Sequence, residues 1–211
     1  MSQIKTPDVL LLLASGCHHC STVLEALSQL LKQGKIGRLE AVNIVAHPKI
    51  AREVGTRSVP WTRIGPFELD GARTSKELEL WAERASQGSG IADYFTELLE
   101  SQQSDKVIGW LERQPENLTN LLELLKHETT PMAARIGVGV VIEHLEGDER
   151  LHSALPDLIA LAKSSQANIR ADAAHFLGLT HSPEARDVLS TLLRDDHPDV
   201  QEIAADSLKL V

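Results

Sequence analysis

The chain has 211 residues, of which 42% are hydrophobic, 24% charged and only 3% aromatic, a balance that fits one or two globular domains with aliphatic cores and argues against disorder. The formal charge of −9 is unevenly spread: residues 1–88 carry eleven Lys/Arg against nine Asp/Glu, and residues 89–211 carry ten against twenty-one. An acidic half of this kind is repelled by phosphate backbones and anionic headgroups, so no nucleic acid and no membrane surface is expected as a partner, and basic protein surfaces fit better.

The N-terminus, Met1 to Asp8, is polar, and the apolar run Val9 to Ala14 is too short for a signal-peptide core or a membrane span, which makes the cytoplasm the expected compartment. Val9 to Leu13 predicts a central parallel strand covered on both faces, broken by Ser15-Gly16. From Cys20 to Lys32, Val23, Leu24, Leu27, Leu30 and Leu31 recur at helical spacing until Gly34 stops the pattern. Arg38 to Val45 predicts a second strand, His47-Pro48 opens a short helix ending near Gly55, and Trp61 to Ile64 with Phe67 to Asp70 predicts a hairpin across Gly65-Pro66. Ser75 to Ala85 closes the unit as a helix.

This β-α-β-α-β-β-α order contains a strand–helix–strand crossover, so the first two strands should be parallel neighbours. Ligands in such sheets meet the carboxyl ends of the strands, where Gly16 to Cys20 sits. Ser86-Gln87-Gly88-Ser89-Gly90 reads as a flexible linker and divides the chain into an α/β domain, 1–87, and an all-α domain, 88–211. In the second domain, helical patterns fall at 91–101, 104–113, 116–127, 131–146, 154–164, 167–179, 183–194 and 197–210, read as four antiparallel pairs. Asn168 to Gly178 aligns with Asp199 to Lys209 at an offset of thirty-one, the kind of period that marks a solenoid of stacked helix pairs. This half resembles HEAT-like repeats of the short bacterial type, most closely over residues 167–210.

The two cysteines stand together in Cys17-His18-His19-Cys20. At i and i+3 they share a helical face and can meet the short separation a disulfide requires. A helix N-terminus stabilises a thiolate on the first of them, so Cys17 is the expected nucleophile and Cys20 the resolving thiol. His18 and His19 can donate hydrogen bonds or positive charge to that thiolate, favouring the reduced form and thus a comparatively oxidising couple. The competing reading is zinc, but Cys17, Cys20 and one histidine make three ligands and no second cluster completes a site. Redox chemistry with no metal and no cofactor is therefore expected.

Ending forty residues on from Cys20 stands Ala51-Arg52-Glu53-Val54-Gly55-Thr56-Arg57-Ser58-Val59-Pro60. The segment resembles the thioredoxin stretch that ends a helix at glycine and leads through Arg-Ser-Ile/Val into a cis-proline opposite the active cysteines. With the Cys-x-x-Cys motif, the hairpin and the closing helix, residues 7–86 resemble the thioredoxin superfamily. The resemblance implies a thioredoxin-like fold, a cis Val59–Pro60 bond, a proline that shields the dithiol from metals, and a Val59 backbone that pairs with the substrate chain as an added strand. The sequence departs from thioredoxins in lacking a leading strand and helix, in Gly16 before the first cysteine where thioredoxins have tryptophan, in His-His for Gly-Pro, and in Leu11 where they keep a buried acid. Asp70-Gly71-Ala72-Arg73 also lacks the glycine pair with which glutaredoxins hold glutathione.

Trp61, next to Pro60, is read equally as a substrate contact or a strand start, and Trp81 and Trp110 as packing residues. His127-Glu128 and Glu143-His144 read as surface pairs, and Asp195, Asp196, Asp199, Glu202 and Asp206 as a solvated helix end before a binding face. The expected function is thiol–disulfide oxidoreduction of a protein client, with the repeats recruiting that client and an electron donor the sequence does not name. The alternative is a redox-responsive interaction scaffold without rapid turnover. Leu208, Leu210 and Val211 leave homo-oligomerisation open.

Overall fold

A computed structural model describes residues 6–127 and 129–211, so residues 1–5 of the polar N-terminal segment and Glu128 of the His127-Glu128 pair lie outside the described residues. The chain divides into two compact units, one ending at Gly90 and the other running Ile91–Val211.

The first unit is built from β1 (Asp8–Leu13), α1 (His18–Lys32), β2 (Arg38–Asn43), α2 (Pro48–Glu53), β3 (Trp61–Ile64), β4 (Phe67–Asp70) and α3 (Ser75–Gln87). Its four strands form one mixed sheet in the order β2-β1-β3-β4. β1 runs parallel to β2 and antiparallel to β3, and β3 and β4 form the hairpin. Val9 to Leu12 are buried along β1, as the apolar run requires of a strand covered on both faces. Leu10, Leu12 and Trp61 form a cluster against which Ile50 and Val54 from the α2 segment pack. α1 and α3 pack on each other, with Val23, Leu27, Leu30, Leu78 and Trp81 buried. A reciprocal cap starts α3: the Thr74 hydroxyl accepts the Glu77 N–H, and the Glu77 carboxylate accepts the Thr74 N–H at 2.7 Å.

Several boundaries differ from the predicted ones: α3 runs on through Ser86 and Gln87, read from the sequence as linker, to a left-handed cap at Gly88, and two others move for local reasons. α1 begins at His18, ahead of the apolar pattern, because its first turn is polar and leaves no hydrophobic signature. β2 stops at Asn43 rather than Val45, since the Asn43 side-chain carbonyl takes the Val45 N–H at 2.9 Å and turns the chain.

The second unit contains α4 (Ile91–Glu100), α5 (Ser104–Arg113), α6 (Leu118–Lys126), α7 (Met132–His144), α8 (Glu149–Ser153), α9 (Leu155–Leu161), α10 (Ala167–Leu179), α11 (Arg186–Leu192) and α12 (Pro198–Ser207). The eight predicted segments thus become nine α-helices among the described residues, because α8 precedes a shortened α9. Asp148 nucleates the extra helix: its carboxylate accepts the Arg150 N–H at 2.8 Å and the Arg150 guanidinium at 2.8 and 2.7 Å. Pro156 then fits the first turn of α9, where a missing N–H costs nothing. No described helix is long and apolar enough to cross a membrane.

Candidate functional site

Cys17 and Cys20 lie where β1 hands over to α1 and are joined as a disulfide, with a Cα–Cα distance of 5.5 Å. Cys17 is the N-cap residue of α1, with extended backbone, and its N–H reaches back to the Ala14 carbonyl at 3.3 Å. The junction turns at Gly16, whose φ of +84° is left-handed backbone that a side chain disfavours. A tryptophan at this position would carry that strain, which accounts for the glycine.

The two sulfurs differ in access. Cys20 is 4% exposed, in the buried stripe with Val23 and Leu27, whereas Cys17 is half-buried. Of the two sulfur-bearing residues, Cys17 is therefore the one open to solvent. His18 and His19 are exposed in the first turn of α1, and that turn carries no acidic residue. The positive end of α1 would thus favour a thiolate on Cys17 with no acidic side chain in the same turn to offset it.

The segment before β3 comes up against the same sulfur. Val59 O lies 3.9 Å from Cys17 Sγ; in the disulfide this is a close approach without a donor, and a reduced Cys17 thiol could donate across it. The Val59–Pro60 bond is cis, Val59 is half-buried and Pro60 is buried. Thr56 shapes this segment, since its hydroxyl accepts the Ser58 N–H at 3.3 Å and donates to the Ser58 carbonyl at 3.2 Å. Asn43 Nδ2 donates to Ser15 Oγ at 3.1 Å, tying the end of β2 to the loop that presents Cys17. Asn43 is not among the predicted site residues, because the apolar pattern runs past it to Val45 and only the fold sets it beside Ser15.

Cys17, Cys20 and Val59 are therefore brought together, with His18, His19 and Pro60 beside them. Trp61 is placed elsewhere: at 1% exposure it belongs to the core with Leu10 and Leu12, so its side chain presents no face to a substrate. Leu11 is fully buried on β1 opposite Thr62, so no carboxylate from that position stands beneath the dithiol. Among the described residues, no group of three or more His, Cys, Asp and Glu side chains is placed to hold a metal ion. Trp81 packs on Phe67 at 4.8 Å between ring centres, and Trp110 on Tyr94 and Phe95 at 5.3 and 5.9 Å.

In the second unit, the two segments related by the offset of thirty-one become α10 and α12, which pack against each other. Gly178 permits this approach, because a Cβ there would stand 2.8 Å from Ser207 Cβ. Arg170 on α10 clamps the turn before α12, donating to both oxygens of Asp195 at 2.7 Å and to the Ser164 and Ser165 carbonyls at 3.0 and 3.1 Å. Residues 118–209 match the family of HEAT repeats. No curated protein sequence matches the chain. The HEAT-like part thus runs from α6 through α12, and the acidic residues near its end divide into two groups. Asp195 is locked to Arg170, while Asp196, Asp199, Glu202 and Asp206 are exposed.

Proposed function

We propose that the protein is a thiol–disulfide oxidoreductase of the thioredoxin superfamily, acting on a protein client that its HEAT-like unit recruits. The observation that carries this reading is the asymmetric Cys17–Cys20 pair at a helix N-terminus, its accessible sulfur 3.9 Å from the Val59 carbonyl. The parallel β1/β2 pair, the β3–β4 hairpin and the helices on both faces of the sheet support a thioredoxin-like fold.

In the reducing direction, the Cys17 thiolate attacks one sulfur of a client disulfide. A Cys17–client bond forms, the client's S–S bond breaks, and the departing thiolate takes a proton from solvent. Cys20, deprotonated, then attacks Cys17 Sγ, restoring the intramolecular disulfide and releasing the second client thiolate. Two electrons pass from the dithiol to the client, and a dithiol donor must return them. The oxidising direction is the same sequence reversed, beginning with a client thiolate on Cys17. Val59, next to Cys17, offers its backbone to an extended client chain. A cytoplasmic location, where thiols are kept reduced, suits a pair that cycles.

The test is the reduction potential of the pair, equilibrated against glutathione buffers and read by mass after alkylation, with Cys17→Ser as control. A reversible two-electron couple between about −270 and −120 mV, the range from thioredoxin to strong disulfide oxidases, is expected. A pair that stays reduced in every buffer, or that retains stoichiometric zinc, overturns the reading.

A further inference from the structure

α7 is apolar on two faces. Ala134, Val138, Val141 and Ile142 are fully buried, whereas Met132, Ile136 and Val140, spaced four residues apart, are 70, 63 and 47% exposed. Single exposed apolar side chains are common, but three in line on one helix form a patch that calls for a cover.

The neighbouring helices supply the context. α7 packs on α10, and α10 on α12. Ala134, Ile169 and Val200 occupy equivalent buried positions on the three helices. Two residues further along each helix stand Ile136, Ala171 and Glu202, and six residues further Val140, His175 and Asp206, all exposed or half-buried. The same surface register therefore changes from apolar on α7, through mixed on α10, to acidic on α12. Cations bordering this face are already matched: Arg135 pairs with Asp172 at 3.1 Å, and Lys209 with Asp206 at 2.6 Å. His175 meets Glu143 at 3.5 Å.

We propose that the α7–α10–α12 face docks a cationic amphipathic segment of a partner protein, its apolar residues covering Met132, Ile136 and Val140 and its Lys or Arg residues meeting Glu202 and sharing Asp206 with Lys209. A second copy of this chain fits poorly, because residues 89–211 carry ten Lys/Arg against twenty-one Asp/Glu and two such faces repel. Two interhelical steps of about 9 Å separate α7 from α12, a span that about six extended residues cover. The partner's apolar and basic clusters should be about that far apart. This inference rests on the reading that the repeats recruit a client, and it does not depend on whether the dithiol turns over.

The probe is a fluorescein-labelled peptide with a leucine cluster and an arginine cluster about six residues apart, titrated by anisotropy against the full chain and against Cys17→Ser. Both proteins should bind equally, and binding should weaken with added salt. Replacing the leucines by serine, or the arginines by glutamate, should cost at least about tenfold in affinity. The Ile136→Ser/Val140→Ser and Glu202→Lys/Asp206→Lys variants, with helical content checked by circular dichroism, should each lose about as much. Unchanged affinity in either variant overturns the docking face, as does a stripe variant that instead converts a dimer to a monomer in sedimentation. A redox-inert protein that still binds leaves the inference standing and removes only the oxidoreductase. An active one that does not bind does the reverse.

Discussion

Removing the Arg170 guanidinium should destabilise the HEAT-like unit by about 3 kcal/mol. Arg170 and Asp195 are 12 and 7% exposed at their side chains, so the pair is largely out of water, and both carboxylate oxygens are bonded at 2.7 Å. Breaking such a pair by deleting one partner costs about 3–5 kcal/mol, because a buried charge is left uncompensated. The low end applies, since the His197 N–H still reaches Asp195 at 2.9 Å. Asp196, 89% exposed, adds little through its own contact with Arg170. Arg170→Lys keeps the charge but loses the two-pronged geometry, and should cost about 1–2 kcal/mol. Bonding to Arg170 holds the Asp195 carboxyl well below the usual carboxylate range. Stability from a lowered carboxyl is present above its unfolded value of about 3.9 and is lost as pH falls through the folded value, so wild type should weaken on acidification more steeply than Arg170→Ala. Hydrogen exchange of peptides from α10 and α12, read by mass spectrometry, reports this unit separately from the first. A change below about 0.5 kcal/mol in Arg170→Ala, or a coupling that small in the cycle with Asp195→Asn, would refute the reasoning.

Three further outcomes follow from named contacts. Cys20→Ala removes the resolving thiol, so glutathione disulfide should leave a persistent glutathione adduct on Cys17, absent in Cys17→Ala; intact mass measures it, and a Cys20→Ala protein that stays unmodified speaks against Cys17 as nucleophile. Gly178→Ala sets a methyl 2.8 Å from Ser207 Cβ and 3.0 Å from its Cα. Overpacking of about 1–3 kcal/mol should outweigh the gain of about 1 kcal/mol in helix propensity and lower the urea midpoint. His181 meets the Leu210 carbonyl through Nδ1 and Glu146 through Nε2, each at 3.0 Å. The carbonyl first, and Glu146 second, raise its pKa. Its contribution is complete below the unfolded value of about 6.5 and is lost as pH rises through the folded one, so amides near Leu210 should lose protection on going alkaline in wild type but not in His181→Asn.

Much of the first unit was legible because its signals are local or periodic. The run Val9 to Leu13 could only be a strand buried on both faces, and Gly65-Pro66 between two short apolar alternations could only be a hairpin. α8 was not legible, since Glu149 to Ser153 offers one buried residue, Leu151, and its start depends on a side-chain bond from Asp148. The strand start of β2 was readable and its end was not, for the same reason: a single Asn43 contact decides it.

At the candidate site, proximity in sequence governed what could be read. Cys17 and Cys20 meet because a helix brings i and i+3 together, which needs no tertiary information. Trp61 needed the sheet: beside Pro60 it could face outward or inward, and its register opposite Leu12 turns it into the core. α7 shows the limit most sharply. Met132, Ile136 and Val140 are as apolar as Ala134, Val138 and Val141, so the sequence carries almost no amphipathic signal there, and only packing against α4, α5, α6 and α10 distinguishes the face that is core from the face left open. Because core and docking residues share one chemistry on this helix, substitutions must be chosen by exposure. Val138→Ser should unfold the repeat, while Val140→Ser, two residues away and 47% exposed, should leave the fold intact and weaken partner binding by less than the double variant does.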